Sequence, residues 1–200
     1  MKTHIVINKR IYENYKDEIL PLSARLFCDE YFYDLKNYKQ PVELNGIKNY
    51  LLYTKQITIY TTATFLDFVN VLLVLSFLKE NNYQNDIIIN YYLLNSKTLD
   101  EALFMSTNLK GNELEPVETL LSNIKNKNKL TNVSLKLPGM INYINFFNMI
   151  SDKENFNFYF QELIEECEDD IEELAECLYE KYNNMGLNKQ FYLDLIKEYK

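Results

Sequence analysis

The stretch "ITIYTTATFLDFVNVLLVLSFLKENNYQNDIIINYYLL", residues 57–94, decides the fold. Residues 57–62 alternate β-branched and aromatic side chains and predict a strand. Residues 86–94 do the same. Between them lies an apolar run, residues 65–78, too long for a strand and bounded by hydroxyl and asparagine residues. Strand, helix, strand at this spacing is a βαβ unit, whose two strands run parallel. Thr64 and Asp67 have capping-box spacing at the helix start, and Thr98 and Glu101 repeat it further on. A phosphate-cradling turn needs glycines for close backbone approach. Residues 57–65 contain none, so the threonines are read as caps.

Working outward, "HIVIN" at residues 4–8 predicts a first strand. Ile11, Tyr15 and Ile19 follow at helical spacing until Pro21, and "SARLFC" at residues 23–28 predicts a second strand. "VELNGIKNYLLYTKQ" is not assigned, because Gly46 interrupts a helical pattern. After Asn95 no further strand is expected: "TLDEALFMS" reads as helix, and "EPVETLLSNIKN" as helix with Pro116 in its first turn. The lysine-rich "KNKNKLTN" marks a boundary. The fold class predicted is α/β, an open, mostly parallel four-stranded sheet with helices. Residues 1–136 form that domain, and a helical C-terminal region, residues 137–200, packs on it. There, "NFYFQELIEECEDDIEELAECLYEKYNNMG" reads as one long helix stopped by Gly186. A last helix repeats Leu187, Phe191, Leu195 and Tyr199.

Composition bounds function. Apolar content of 47% and charged content of 25% are globular values. Lys outnumbers Arg 19 to 2, and Asn, Ile and Tyr are abundant, which implies an AT-rich genome of a bacterium or phage and accounts for many of the 17 tyrosines. The N-terminus has no signal-like apolar run, and the longest apolar segment, with Asp67, Asn70 and Ser76 inside it, is short for a bilayer. A cytoplasmic protein without membrane contact is expected. Cys28, Cys167 and Cys177 form no CxxC pair. On one helix, the ten-position separation of the last two places them about 15 Å apart, too far for a disulfide. A reducing compartment with inert thiols is the expectation.

Catalytic chemistry finds no constellation. His4 is the sole histidine, no G-x-S-x-G elbow exists, and one histidine with three scattered cysteines makes no zinc site. No catalytic residue, metal or cofactor is assigned, and the balance leans away from an enzyme. If the four strands are parallel, their C-terminal ends gather Asn8, Lys9, Asp29, Glu30, Thr61, Thr62 and Lys97 at one edge. Ligands of open α/β sheets bind outside that edge. Those residues could orient a nucleotide or small metabolite.

The most distinctive segment is residues 162–180, with ten acids and no base. The formal net charge is −8; without this segment it would be +2. Ile164, Cys167, Ile171, Leu174 and Leu178 form a seam at spacings of three and four. Glu165, Glu166, Asp169, Asp170 and Glu173 lie on the acidic remainder. The leading expectation is a non-catalytic protein that binds a partner with a basic surface through these acids, as an inhibitor or nucleic-acid mimic would. Alternatives are a solvated face, neutralisation by Lys125, Lys127 and Lys129, or a homodimer through the seam. Glu166 and Asp169 resemble half of a di-metal site without its histidines. Direct nucleic-acid binding is not expected of a negatively charged chain.

"HIVIN", "LFCDEYF", "FLDFVNVLLVLSFL" and "DIIIN", within residues 1–105, are similar in arrangement to uncharacterised bacterial proteins grouped as a domain of unknown function. Those begin with a histidine-bearing strand and carry an acidic segment after the second strand. The resemblance implies an α/β fold and no assigned activity. The turn at residues 61–64 departs from that pattern, having threonines where acidic or polar residues are expected.

Overall fold

The computed structural model describes residues 1–19, 24–25, 42–131, 134–167 and 170–200. Five strands form one sheet: β1 (Lys2–Val6), β2 (Ala24–Arg25), β3 (Gln56–Thr61), β4 (Asp86–Tyr92) and β5 (Leu103–Lys110), in the order β2-β1-β3-β4-β5. The first four are parallel and β5 is antiparallel to β4. The helices are α1 (Lys9–Tyr15), α2 (Val42–Lys48), α3 (Phe65–Glu80), α4 (Leu99–Ala102), α5 (Val117–Lys125), α6 (Met140–Ile150), α7 (Lys153–Glu166), α8 (Ile171–Lys181) and α9 (Lys189–Tyr199). The expected α/β architecture with a helical C-terminal region is present.

Strand alternation assigns the two faces. Ile5, Ile57, Ile59, Ile87 and Ile89 enter the larger core with α3, α5 and the C-terminal helices. Val6, Tyr60 and Tyr92 enter a smaller core on the other face, with Ile11, Tyr15 and Ile19 of the α1 region and Leu99 and Ala102 of α4. Both faces are covered, which is why these strands read as near-continuous apolar runs. α3 is buried on nearly every side, by the sheet, α5 and α6. Phe65 packs edge-on to Phe146 at 5.3 Å between ring centres, and Phe68 lies 5.0 Å from Tyr143.

Three corrections follow. Strands do not stop at Asn95. The cap at Thr98 does form, accepting the Glu101 N–H, but its helix lasts only four residues. A connection this short can join neighbouring strands only in the antiparallel sense, and pairing with β4 overrides the helical propensity of "ALFMS". Gly46 does not interrupt its helix; burial of Leu44 and Ile47 carries α2 through it. The long acidic helix is two helices, α7 and α8. Asp170 stands in extended conformation and accepts the N–H groups of Glu172 and Glu173, at 2.8 and 3.1 Å, so a helix begins where continuity was expected.

Candidate functional site

The strand order makes β1 the pivot of the sheet. From β1 the chain passes to β2 on one side, and β3 then returns to its other side. The turns that leave β1 and β3 therefore diverge, and a crevice opens between them at the carboxyl ends, the topological switch point of a 2-1-3-4-5 sheet.

Asn8, Thr62 and Asp67 hold these two turns together. The Asn8 side-chain oxygen caps α1 by accepting from Arg10 N and Ile11 N at 3.0 and 3.2 Å. Its amide nitrogen donates to Asp67 Oδ2 at 2.9 Å. The same oxygen accepts the Thr62 N–H at 2.8 Å and the Thr62 hydroxyl. Asp67 is 3% exposed, so its charge is held by this donor set. Thr64 caps α3 through the Asp67 N–H at 3.1 Å, as its spacing predicts. The Asp67 carboxylate, however, reaches past the cap residue to Thr62, and so links β3 to β1 while it completes the turn.

The far wall comes from the C-terminal region. Gly186 has φ of +78°, and a Cβ there would lie 2.9 Å from Thr64 Oγ1, so only glycine lets this loop close on the α3 cap. The closure frames a crevice of about 580 Å³, within the size range of small-ligand sites. Lys9 and Arg10 stand on one side, Thr62, Thr64 and Asp67 on the floor, and Asn183, Asn184 and Asn188 opposite. Lys9 has one loose exposed ion pair, 3.8 Å from Glu13. Among the described residues Asn183 and Asn184 make no side-chain hydrogen bond. Tyr92 lines the crevice beside Leu93 and Leu94; burial pushes its hydroxyl pKa up, so it acts as a neutral group. A second pocket of 210 Å³ adjoins, sharing Ala63 and Asn184. It is lined by Tyr91, Phe104, Met105 and Tyr143. Burial, with the Asp67 charge, pushes the Tyr143 hydroxyl up to about 12.

Of the expected strand-end residues, Asn8, Lys9 and Thr62 meet here. Thr61 is buried and faces away from the crevice, with its hydroxyl on the Thr62 carbonyl at 3.3 Å. Lys97 is not in the lining. Asp29 and Glu30 lie outside the described residues. Sequence reasoning missed Arg10, the second function of Asp67, and the wall at residues 183–188. The only signal for that wall is the run of asparagines around Gly186.

The acidic candidates are divided by the helix break. Glu165 and Glu166 end α7, Asp170 is committed to capping α8, and Glu173 lies in the first turn of α8; Asp169 lies outside the described residues. The seam packs within the chain: Cys167, Leu174 and Leu178 are buried, and the partly buried Ile164 and Ile171 pack on its core. Lys127 bonds Glu198 at 2.5 and 2.6 Å rather than the 162–180 acids. Glu176 instead pairs with Lys189. Among the described residues no group of three or more His, Cys, Asp or Glu side chains is placed to hold a metal. No described helix is long and apolar enough to cross a membrane. His4 Nδ1 lies 2.8 Å from the Tyr60 hydroxyl, a structural contact on the smaller-core face. No protein-family model matches the chain, and no curated protein or solved structure matches it.

Proposed function

We propose that the switch-point crevice binds a small polar metabolite of the nucleotide class, one that joins an anionic group to a flat, less polar moiety. The observation that carries this is the coincidence of strand order and volume: a 580 Å³ crevice at the carboxyl ends of β1 and β3, where open α/β sheets take their ligands. The Asp67 carboxylate repels an anion from the α3 turn, so the anionic group belongs beside Lys9 and Arg10. Asn183 and Asn184 supply amides for a polar body, beside Asn188, whose side-chain oxygen caps α9 by accepting the Phe191 N–H. The adjoining pocket, with Tyr91, Phe104 and Tyr143, suits a flat ring. This reading assigns binding and names no catalytic residue.

Thermal shift tests it with adenosine, AMP, ATP and inorganic phosphate as probes. A nucleotide raises Tm by mass action, and Arg10→Gln weakens that response about tenfold, the loss of one charge-assisted hydrogen bond. Absence of any shift at millimolar nucleotide overturns the reading.

A second reading is favoured by one observation. Phe158 and Tyr159 are exposed on α7, and the exposed Glu162 and Glu165 follow them in the chain beyond a kink at Phe160. Exposed aromatic side chains followed by carboxylates suit a partner with a basic surface. Such docking weakens with salt and is lost when Glu162, Glu165 and Glu166 become glutamines; capture that is indifferent to both removes it.

A further inference from the structure

The break between α7 and α8 reverses what spacing implies about two cysteines. In a continuous helix, Cys167 and Cys177 would stand about 15 Å apart. In the folded chain their Sγ atoms are 4.0 Å apart. Cys167 is the residue that ends α7 and is 3% exposed. Cys177 sits on α8 and is half-buried, open to solvent on one side. A disulfide needs about 2.05 Å between sulfurs, a closure of about 2 Å from the folded separation.

We propose that Cys167 and Cys177 are a site of oxidative modification, closed to an intramolecular disulfide by a small neutral peroxide. The accessible Cys177 acts first. Its thiolate attacks one oxygen of hydrogen peroxide; an S–O bond forms, the O–O bond breaks, and the departing hydroxide takes up the thiol proton as water. The Cys167 thiolate then attacks the sulfur of the resulting sulfenic acid. The S–S bond forms, the S–O bond breaks, and the second hydroxide leaves as water with the Cys167 proton. Two thiols and one peroxide give one disulfide and two waters; the sulfurs lose two electrons and the peroxide gains them. Charge selects the oxidant. Glu166 adjoins Cys167, and Glu173 lies one turn from Cys177 on α8, so an anionic disulfide such as oxidised glutathione is repelled where neutral peroxide enters. Burial first, then Cys177 and the nearby glutamates, push the Cys167 thiol up to about 11. The closing step is therefore slow at neutral pH and quickens as pH rises. The bond ties α7 to α8 at the segment that leads, through Tyr179, to the far wall of the crevice.

The test treats the native full-length chain with hydrogen peroxide at pH 7 and pH 9, quenches with catalase, blocks remaining thiols in denaturant, and maps peptides by mass spectrometry. The expected product is a linked pair of peptides carrying Cys167 and Cys177. It forms faster at pH 9, raises Tm by about 5 °C or more, and is reversed by dithiothreitol. Cys28→Ser retains the product and Cys177→Ala loses the Tm rise. Sulfinic or sulfonic acid at Cys177 without a cross-link overturns the proposal. So do a bond to Cys28, a bond between chains, or no reaction at pH 9.

Discussion

α3 and the α7–α8 pair are helical regions built on opposite terms. α3 has 13 buried residues among its 16 and shows no polar face; it is held by packing from every side. α8 buries only Leu174, Ala175 and Leu178 of its 11 and turns carboxylates outward. Its position depends on one stripe, one cap and the contacts of Cys167. A helix enclosed on all sides tolerates little change and owes its stability to contacts that neighbouring elements complete. A helix docked on one stripe is governed by local capping and by charge, and its ends can break where a cap competes with continuation.

The largest expected effect lies in α3. Phe65 is fully buried against Phe146, Phe147 and Tyr143, so Phe65→Ala loses about 3–5 kcal/mol in equilibrium denaturation; a loss below 1 kcal/mol would place α3 on the surface terms of α8. The same helix carries its own defect. Asn70 is 0% exposed, and among the described residues neither atom of its side-chain amide has a protein hydrogen-bond partner. Removing an unpaired buried amide relieves a desolvation cost of about 1–3 kcal/mol. Asn70→Leu, with the same heavy-atom count and branching, therefore raises the denaturation midpoint; a lower midpoint shows that the added methyl bulk or a lost hydration contact outweighs the relief.

Asp170→Ala separates the two regions more sharply. If residues 153–181 formed one helix, alanine would stabilise it. As the cap of α8, Asp170 accepts two N–H groups, so its loss costs about 1 kcal/mol and lowers α8 protection in hydrogen exchange. The smallest effect is at His4. Burial, then the Lys2 charge, holds its pKa below the ordinary 6.5, so the unfolded chain binds that proton more tightly. Its contribution is present above pH 6.5 and declines as pH falls through the folded value. Denaturation midpoints of His4→Gln should therefore fall less steeply than those of the native chain across that window; parallel curves refute the assignment.

The βαβ unit was legible because its signals agree. Residues 57–62 and 86–94 carry strand alternation, residues 65–78 are apolar throughout, and Thr64 caps where its spacing says. β5 was not legible: "TLDEALFMS" has helix-forming residues and a cap, and only the free edge of β4 makes it a strand after Ala102. The acidic segment misled for a related reason. Its seam keeps helical period across residues 167–171, but Asp170 offers the backbone an equally local alternative, and the burial of Cys167 and Leu174 selects it. The crevice was half legible. Asn8, Lys9 and Thr62 follow from strand ends alone, while Arg10 and residues 183–188 require knowing which loops meet.

The sequence by itself determined the α/β class, the parallel unit at the centre, the caps at Thr64 and Thr98 and the turn at Gly186, because each depends on periodicity or on side chains within a few residues of the backbone they satisfy. Tertiary structure alone decided the 2-1-3-4-5 order and with it the switch-point crevice, the link from Asp67 to Asn8, and the meeting of Cys167 with Cys177. Those depend on pairs distant in the chain or on the balance between a helix and its break, and only packing of the whole chain weighs that balance.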